Sequence, residues 1–407
     1  MSIQTTTAGS LPRTPALLEA NAARPLSDDG FTFIPSDEHE RAVAAAVADV
    51  VDRQRQAGIT LLGDGEYGHT MRAPIDYGAW WTYSFQRFSG LSLTETDFFT
   101  PTPVLSEPGD VRLTAFLDRR DFTAFADAYA DPTSGIGTGE QATAFPTTTG
   151  PIRYTGLAQV QSDVQNLTAA LQPGERGFLT AISPGSAARV GNQHYASDEE
   201  HIFAWADALR EEYRAITDAG LVVQIDDPSL AENFDQIRPE PSIEDYQRFT
   251  RIRIEALNHA IEGLPRELVR LHLCWGSWHG PHTTDVELRH ILPVVLEARV
   301  GSLSFEAANV RHEHEHTVWQ EQAASVPDDL VLVPGIVSHA TNVVEHPDLV
   351  AQRIERFVDV VGPDRVIAST DCGLGGRVHP QIAWAKLASL GDGARRVRGA
   401  DRERVVV

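Results

Sequence analysis

Only two cysteines occur in this 407-residue chain, and each stands where a strand-like run gives way to a glycine-containing loop. Cys274 closes Val269-Arg-Leu-His-Leu-Cys, ahead of Trp-Gly-Ser-Trp-His-Gly-Pro-His. Cys372 closes Arg365-Val-Ile-Ala-Ser-Thr-Asp-Cys, ahead of Gly-Leu-Gly-Gly. The first run alternates apolar and polar residues, as a short strand does. A period of two puts His272 and Cys274 on one face at its C-terminal end. An imidazole beside a thiol supplies two ligands for tetrahedral zinc; Cys372 offers a third and leaves a position open for substrate. A buried free cysteine is ordinarily a small hydrophobe, and it is the company of His272 that favours metal. A disulfide is the competing pairing. A chain with no leader-like start and no other cysteine is expected to be cytoplasmic, where thiols stay reduced.

The elements that must position these groups repeat along the chain. A β-rich start at 3–13 turns at Gly9-Ser10, and a helix is expected at about 38–56 before the strand Ile59-Thr-Leu-Leu. From 176 onward, strands ending near 182, 226, 274, 306, 336 and 372 alternate with helices near 198–219, 243–262, 285–299, 315–325 and 347–361. A strand with its crossover helix takes roughly 30 residues, and this spacing predicts a (β/α)8 TIM barrel. An open doubly wound sheet is disfavoured because no glycine-rich phosphate fingerprint follows an early strand. The chain is read as one barrel domain over 1–407. The segment at about 75–155, Thr-, Pro- and Gly-rich from about 93 to 150, is read as an inserted cap.

Composition narrows the partners. A formal charge of −23 argues against nucleic acid and anionic membranes, and no apolar stretch reaches membrane-spanning length. Lys386 is the only lysine, in a helical-looking segment away from any strand end. Schiff-base chemistry is therefore disfavoured.

In such barrels the chemistry gathers at the C-terminal strand ends. The polar residues at those ends are Ser10, Glu66, Asp226, Asp227, His272, Cys274, Glu306, His339, Asp371 and Cys372. Glu306 is placed to fill the open zinc position when no substrate is bound. His312 and His316 would share a helix face at i and i+4, but their order is not that of a zinc protease. They are read as a solvated or outer-sphere segment, and His279 and His282 as loop residues lining the mouth.

Thr5-Thr-Thr-Ala-Gly-Ser-Leu-Pro12, Asp64-Gly-Glu66, Gln224-Ile-Asp-Asp-Pro228, His272-Leu-Cys274, Phe305-Glu306 and Asp371-Cys-Gly-Leu374 occur in one order, nearly end to end. Together they resemble the catalytic barrel of the cobalamin-independent methionine synthase family. The resemblance implies a zinc ion held by His272, Cys274, Glu306 and Cys372, and a zinc-bound thiolate as nucleophile in transfer of a methyl group, with homocysteine the expected thiol. It also implies Ser10, Glu66 and Asp226 as holders of the amino-acid end of that thiol, and His339 as the carrier of a proton to the departing group.

The family's folate platform is not recognisable, and Asp227 stands where these synthases usually carry Glu. Trp80 and Trp81 are read as a stacking surface for the donor, methyltetrahydrofolate or an epoxide. Epoxyalkane:coenzyme M transferases resemble the same barrel and offer an alternative, alkylation of a sulfonated thiol. A uroporphyrinogen decarboxylase-like barrel and a non-catalytic zinc-binding protein are lesser alternatives.

Overall fold

The computed structural model describes residues 3–30, 32–72, 83–93, 104–115, 118–136 and 146–397. In chain order the strands are β1 (Gln4–Thr5), β2 (Leu61–Gly63), β3 (Phe88–Ser92), β4 (Thr147–Tyr154), β5 (Arg176–Ile182) and β6 (Gly191–Asn192). They continue as β7 (Val222–Asp227), β8 (Val269–Leu273), β9 (Ser302–Phe305), β10 (Val331–Val337) and β11 (Ile367–Thr370). Eight of them form one sheet in the order β1-β11-β10-β9-β8-β7-β5-β2, every pairing parallel. Its two ends meet: the Thr60 amide donates to the Thr5 carbonyl at 3.1 Å, and the Thr6 hydroxyl to the Leu61 carbonyl at 3.0 Å. This is the expected (β/α)8 barrel.

Strands such as Val222–Asp227 and Val269–Leu273 are buried along their whole length, as parallel strands covered on both faces must be. Long amphipathic helices cover them, among them Asp37–Gln56, Asp198–Asp218 and Ile243–Ala260. Each starts from a serine (Ser36, Ser197, Ser242) whose side chain accepts an amide hydrogen of the first turn, with acidic residues following. That arrangement satisfies an orphan donor and complements the helix dipole. The helix Leu157–Ala170 was not anticipated. Only Val160 and Leu167 of it are buried, so its apolar stripe is thin. Polar side chains also cross the barrel interior: Arg270 reaches the Thr6 hydroxyl and lies over the Phe178 ring.

Between β2 and β5 the chain leaves the barrel. β3 and β4 pair antiparallel, and β6 joins β4 to make a three-stranded sheet. The helical piece expected near 118–130 is two short helices, Arg120–Ala124 and Ala126–Ala130. They dock onto loops that follow β7 and β8. The Arg120 amide donates to the Asp235 carbonyl, the Thr283 amide to Asp121 Oδ1, and the Trp278 indole to the Tyr129 hydroxyl. Among the described residues no helix is long and apolar enough to cross a membrane.

Candidate active site and metal centre

His272 lies on the fourth position of β8, Cys274 directly after that strand, and Cys372 two residues beyond β11. Their ligand atoms all lie within 4.8 Å of one another. The sulfurs are 3.8 Å apart and both thiols are free. Nδ1 of His272 sits 3.2 Å from the Ser304 hydroxyl, while the buried Nε2 has no hydrogen-bond partner. An Nδ1–H given to Ser304 leaves the Nε2 lone pair for a ligand, the usual arrangement of a metal-bound imidazole. A buried nitrogen left unpaired beside two convergent sulfurs is the donor set and geometry zinc takes. The sulfurs also polarise each other. The Cys274 thiol, and next to it His272, hold Cys372 well below the usual thiol range; Cys372 and burial push Cys274 well above it.

Glu306 belongs to a second cluster. Its carboxyl, the His339 imidazole and the Asp371 carboxyl place their ligand atoms within 4.8 Å of one another, all buried. Glu306 is cradled: Oε1 accepts the Trp275 amide at 3.0 Å and Oε2 the Asn309 side-chain amide. Burial pushes its pKa up to about 7, against the pull of His312. Asp371 Oδ1 accepts the amides of Ala307 and Ala308 at 2.8 and 2.9 Å, so the residue before Cys372 shapes the loop that carries Glu306. Gly335 makes room, since a Cβ there would sit 2.4 Å from the Asp371 Cα. His339 Nδ1 has no partner, and burial pushes the imidazole pKa down to about 3.

The remaining expected residues stand on the β1, β2 and β7 side of the mouth. Asp226 pairs in register with His272 and accepts a 2.7 Å bond from the Gln224 side chain. Glu66 takes a left-handed backbone, φ 60°, and its Oε1 closes onto Gly9, where a Cβ would lie 2.4 Å away. Burial and the charge of Asp226 push Glu66 up to about 8. The Ser10 carbonyl accepts the amides of Leu374 and Gly375, which stitches its loop to the one after Cys372. Asp227 turns away into a structural role, accepting from Ser186 and Ser229 as it caps a short 3-10 turn. Trp80 and Trp81 lie outside the described residues.

The reading of His312 and His316 as one solvated helix face needs correction. A 3-10 turn spans Glu313–Glu315 and the helix starts at His316, so the two histidines do not share a helix face. His312 is buried, not solvated. Its ring lies 4.3 Å from that of Trp275, Nε2 is 3.0 Å from Asp285, and Nδ1 is 2.8 Å from Glu315. Those carboxylates outweigh burial and push it up to about 10. His282 joins the same network through Asp285, and His279 contacts the His339 carbonyl at 3.1 Å. Sequence reasoning also missed Ser304. It lies two residues before Glu306, the same period-two signal that paired His272 with Cys274.

Residues 176–395, more than half of the chain, match the family described as cobalamin-independent synthase, catalytic domain. The chain belongs to that family. The matched region carries His272, Cys274, Glu306, His339 and Cys372. The chain is 27% identical to a 2-hydroxypropyl-CoM lyase of Xanthobacter autotrophicus over 276 residues, 62% of this chain and 69% of that protein. It is 24% identical to a methionine synthase of Saccharolobus solfataricus over 208 residues, 51% of this chain and 54% of that one. It thus spans about half the length of that second relative. Among solved structures, a B12-independent methionine synthase from Shewanella sp. W3-18-1 superposes with a TM-score of 0.66 at 20% identity, covering 97% of both chains. A putative vitamin-B12-independent methionine synthase from Listeria monocytogenes gives 0.60 at 16% identity, covering 97% of this chain and 98% of that one. At such identities the likeness is one of fold.

Proposed function

We propose that this member of the cobalamin-independent synthase family is a zinc-dependent S-methyl- or S-alkyltransferase that joins a substrate thiol to an electrophilic carbon, with homocysteine the preferred thiol and methionine the product. The observation that carries this reading is the unpartnered Nε2 of His272, on an imidazole that brings a ring nitrogen within 4.8 Å of the sulfurs of Cys274 and Cys372. Zinc, when bound, supplies the positive charge that keeps a thiol deprotonated at neutral pH. His272, Cys274 and Cys372 would hold it, and Glu306, cradled by Trp275 and Asn309 beside them, would complete the set when no thiol is present.

Chain residues account for the rest of the reaction. Glu66 and Asp226 face the ammonium of the thiol substrate, with Ser10 beside them. As the sulfur forms its bond to carbon, the bond from carbon to the leaving atom breaks and its electron pair stays with that atom. The thiol's proton must travel to the same atom. In this reading His339, neutral and with Nδ1 unpaired, carries it. The short helices Arg120–Ala124 and Ala126–Ala130, docked on the loops after β7 and β8, would limit water at the mouth.

A second reading, epoxide opening by a sulfonated thiol, is favoured by the higher identity and coverage of the 2-hydroxypropyl-CoM lyase. One experiment separates them: zinc-loaded protein is given homocysteine or coenzyme M with methyltetrahydrofolate or epoxypropane, and products are read by mass spectrometry. Methionine supports the first reading and hydroxypropyl-coenzyme M the second. Purified protein that holds no zinc and transfers to neither thiol would refute both.

A further inference from the structure

Of the 34 lysine and arginine residues in this chain, Lys386 alone is lysine. It sits on the helix Pro380–Ala394 and is wholly buried. Its Nζ lies 2.6 Å from the Val343 carbonyl and 3.1 and 2.9 Å from the two carboxylate oxygens of Glu345. An ammonium has three hydrogens on one nitrogen, and three acceptors converge on this one. A guanidinium spreads its hydrogens over a planar fork and cannot meet all three from one point. The position therefore explains its own exception to the chain's use of arginine.

Glu345 passes the tie onward. Its Oε1 also accepts the Ser338 amide at 2.8 Å, and its backbone carbonyl accepts the Ser389 hydroxyl. Ser338 immediately precedes His339. Both ends of the loop 338–345 are thus tied to one buried ion pair, Glu345 of the loop with Lys386 of the outer helix. Within the loop the Ala340 amide donates to the Ser338 hydroxyl and the Val343 amide to the Thr341 hydroxyl, and His279 contacts the His339 carbonyl. Val343 is 71% exposed and Val344 also faces solvent.

We propose that Lys386, acting through Glu345, is a positioning residue for His339, holding the imidazole against Glu306 and Asp371. The inference rests on the reading of His339 as proton carrier, but its structural half can be tested without turnover. In the variant Lys386→Met/Glu345→Leu an apolar pair replaces the buried ions, an exchange that cores commonly accept, while the Ser338 amide loses its acceptor.

The double variant is expected to fold, to bind zinc as the native chain does and to keep its thiol KM. Its kcat should fall about a hundredfold, the scale of a 1 Å misplacement, and the single variant Lys386→Arg should lower kcat as well. Peptide mapping after diethyl pyrocarbonate treatment should show His339 labelled in the double variant and protected in the native protein. Native-like protection of His339 in the folded double variant would overturn the proposal, as would native-like kcat. Should the native protein turn over no tested thiol, the labelling still decides the positioning claim, and only the functional reading fails.

Discussion

Cys274 and Cys372 follow strands that are not neighbours, since β9 and β10 lie between β8 and β11, yet their sulfurs are 3.8 Å apart. In a flat sheet, three strand spacings would hold the two strand ends about 14 Å apart. Barrel curvature and the loops beyond the strands turn both side chains into one mouth. The Cys–Cys approach is thus a consequence of closure. Cys372→Ser is expected to fold and to lose zinc, read as metal per chain after dialysis against a weak chelator.

Ser304 should matter to that metal without touching it. Its hydroxyl is the partner of His272 Nδ1, and removal of such an outer-sphere partner typically weakens metal binding 10- to 100-fold. Competition titration of Ser304→Ala against a chromogenic chelator measures this. Unchanged affinity would mean that the His272 tautomer is set elsewhere.

Glu66 gives a pH signature. Its carboxyl keeps its proton up to about 8 in the folded chain, through burial and then Asp226, against an ordinary value of 4.5. The folded state therefore binds more protons than the unfolded one between those values. The stability this adds is fully present below pH 4.5 and is lost as pH rises through 8. Melting temperatures of the zinc-free protein should fall over that window, and Glu66→Gln should flatten the slope.

Substrate charge is tested with the same side chains. If Glu66 and Asp226 meet an ammonium, Asp226→Asn should raise KM for homocysteine roughly a hundredfold, as loss of a buried charge partner does. KM for 2-mercaptoethanol, which lacks the ammonium, should stay near its native value. An equal rise for both thiols would remove Asp226 from substrate recognition.

For His339 the expected effect lies in kcat. His339→Gln should lower it by about 10²- to 10⁴-fold, the usual range for a lost general acid–base group, with zinc content unchanged. A fall in bound zinc instead would place His339 among the metal's holders, a role its position beside Glu306 and Asp371 makes worth measuring.

Much of this was legible in order along the chain. Period-two patterning put His272 beside Cys274, glycine and proline marked where strands stop, and the regular spacing of strands implied the barrel and hence a common mouth for polar strand-end residues. These are local properties, written in neighbouring residues. What only the tertiary structure decided involves groups far apart in sequence. Examples are the closure of β1 on β11 and β2, Ser304 behind His272, Asp371 holding the loop of Glu306, and His312 drawn out of solvent by Asp285 and Glu315. Lys386 shows the same division. Its uniqueness was visible in the sequence, but its use depends on which loop the barrel packs against its helix, and burial, which makes that ion pair specific, exists only after the chain has closed.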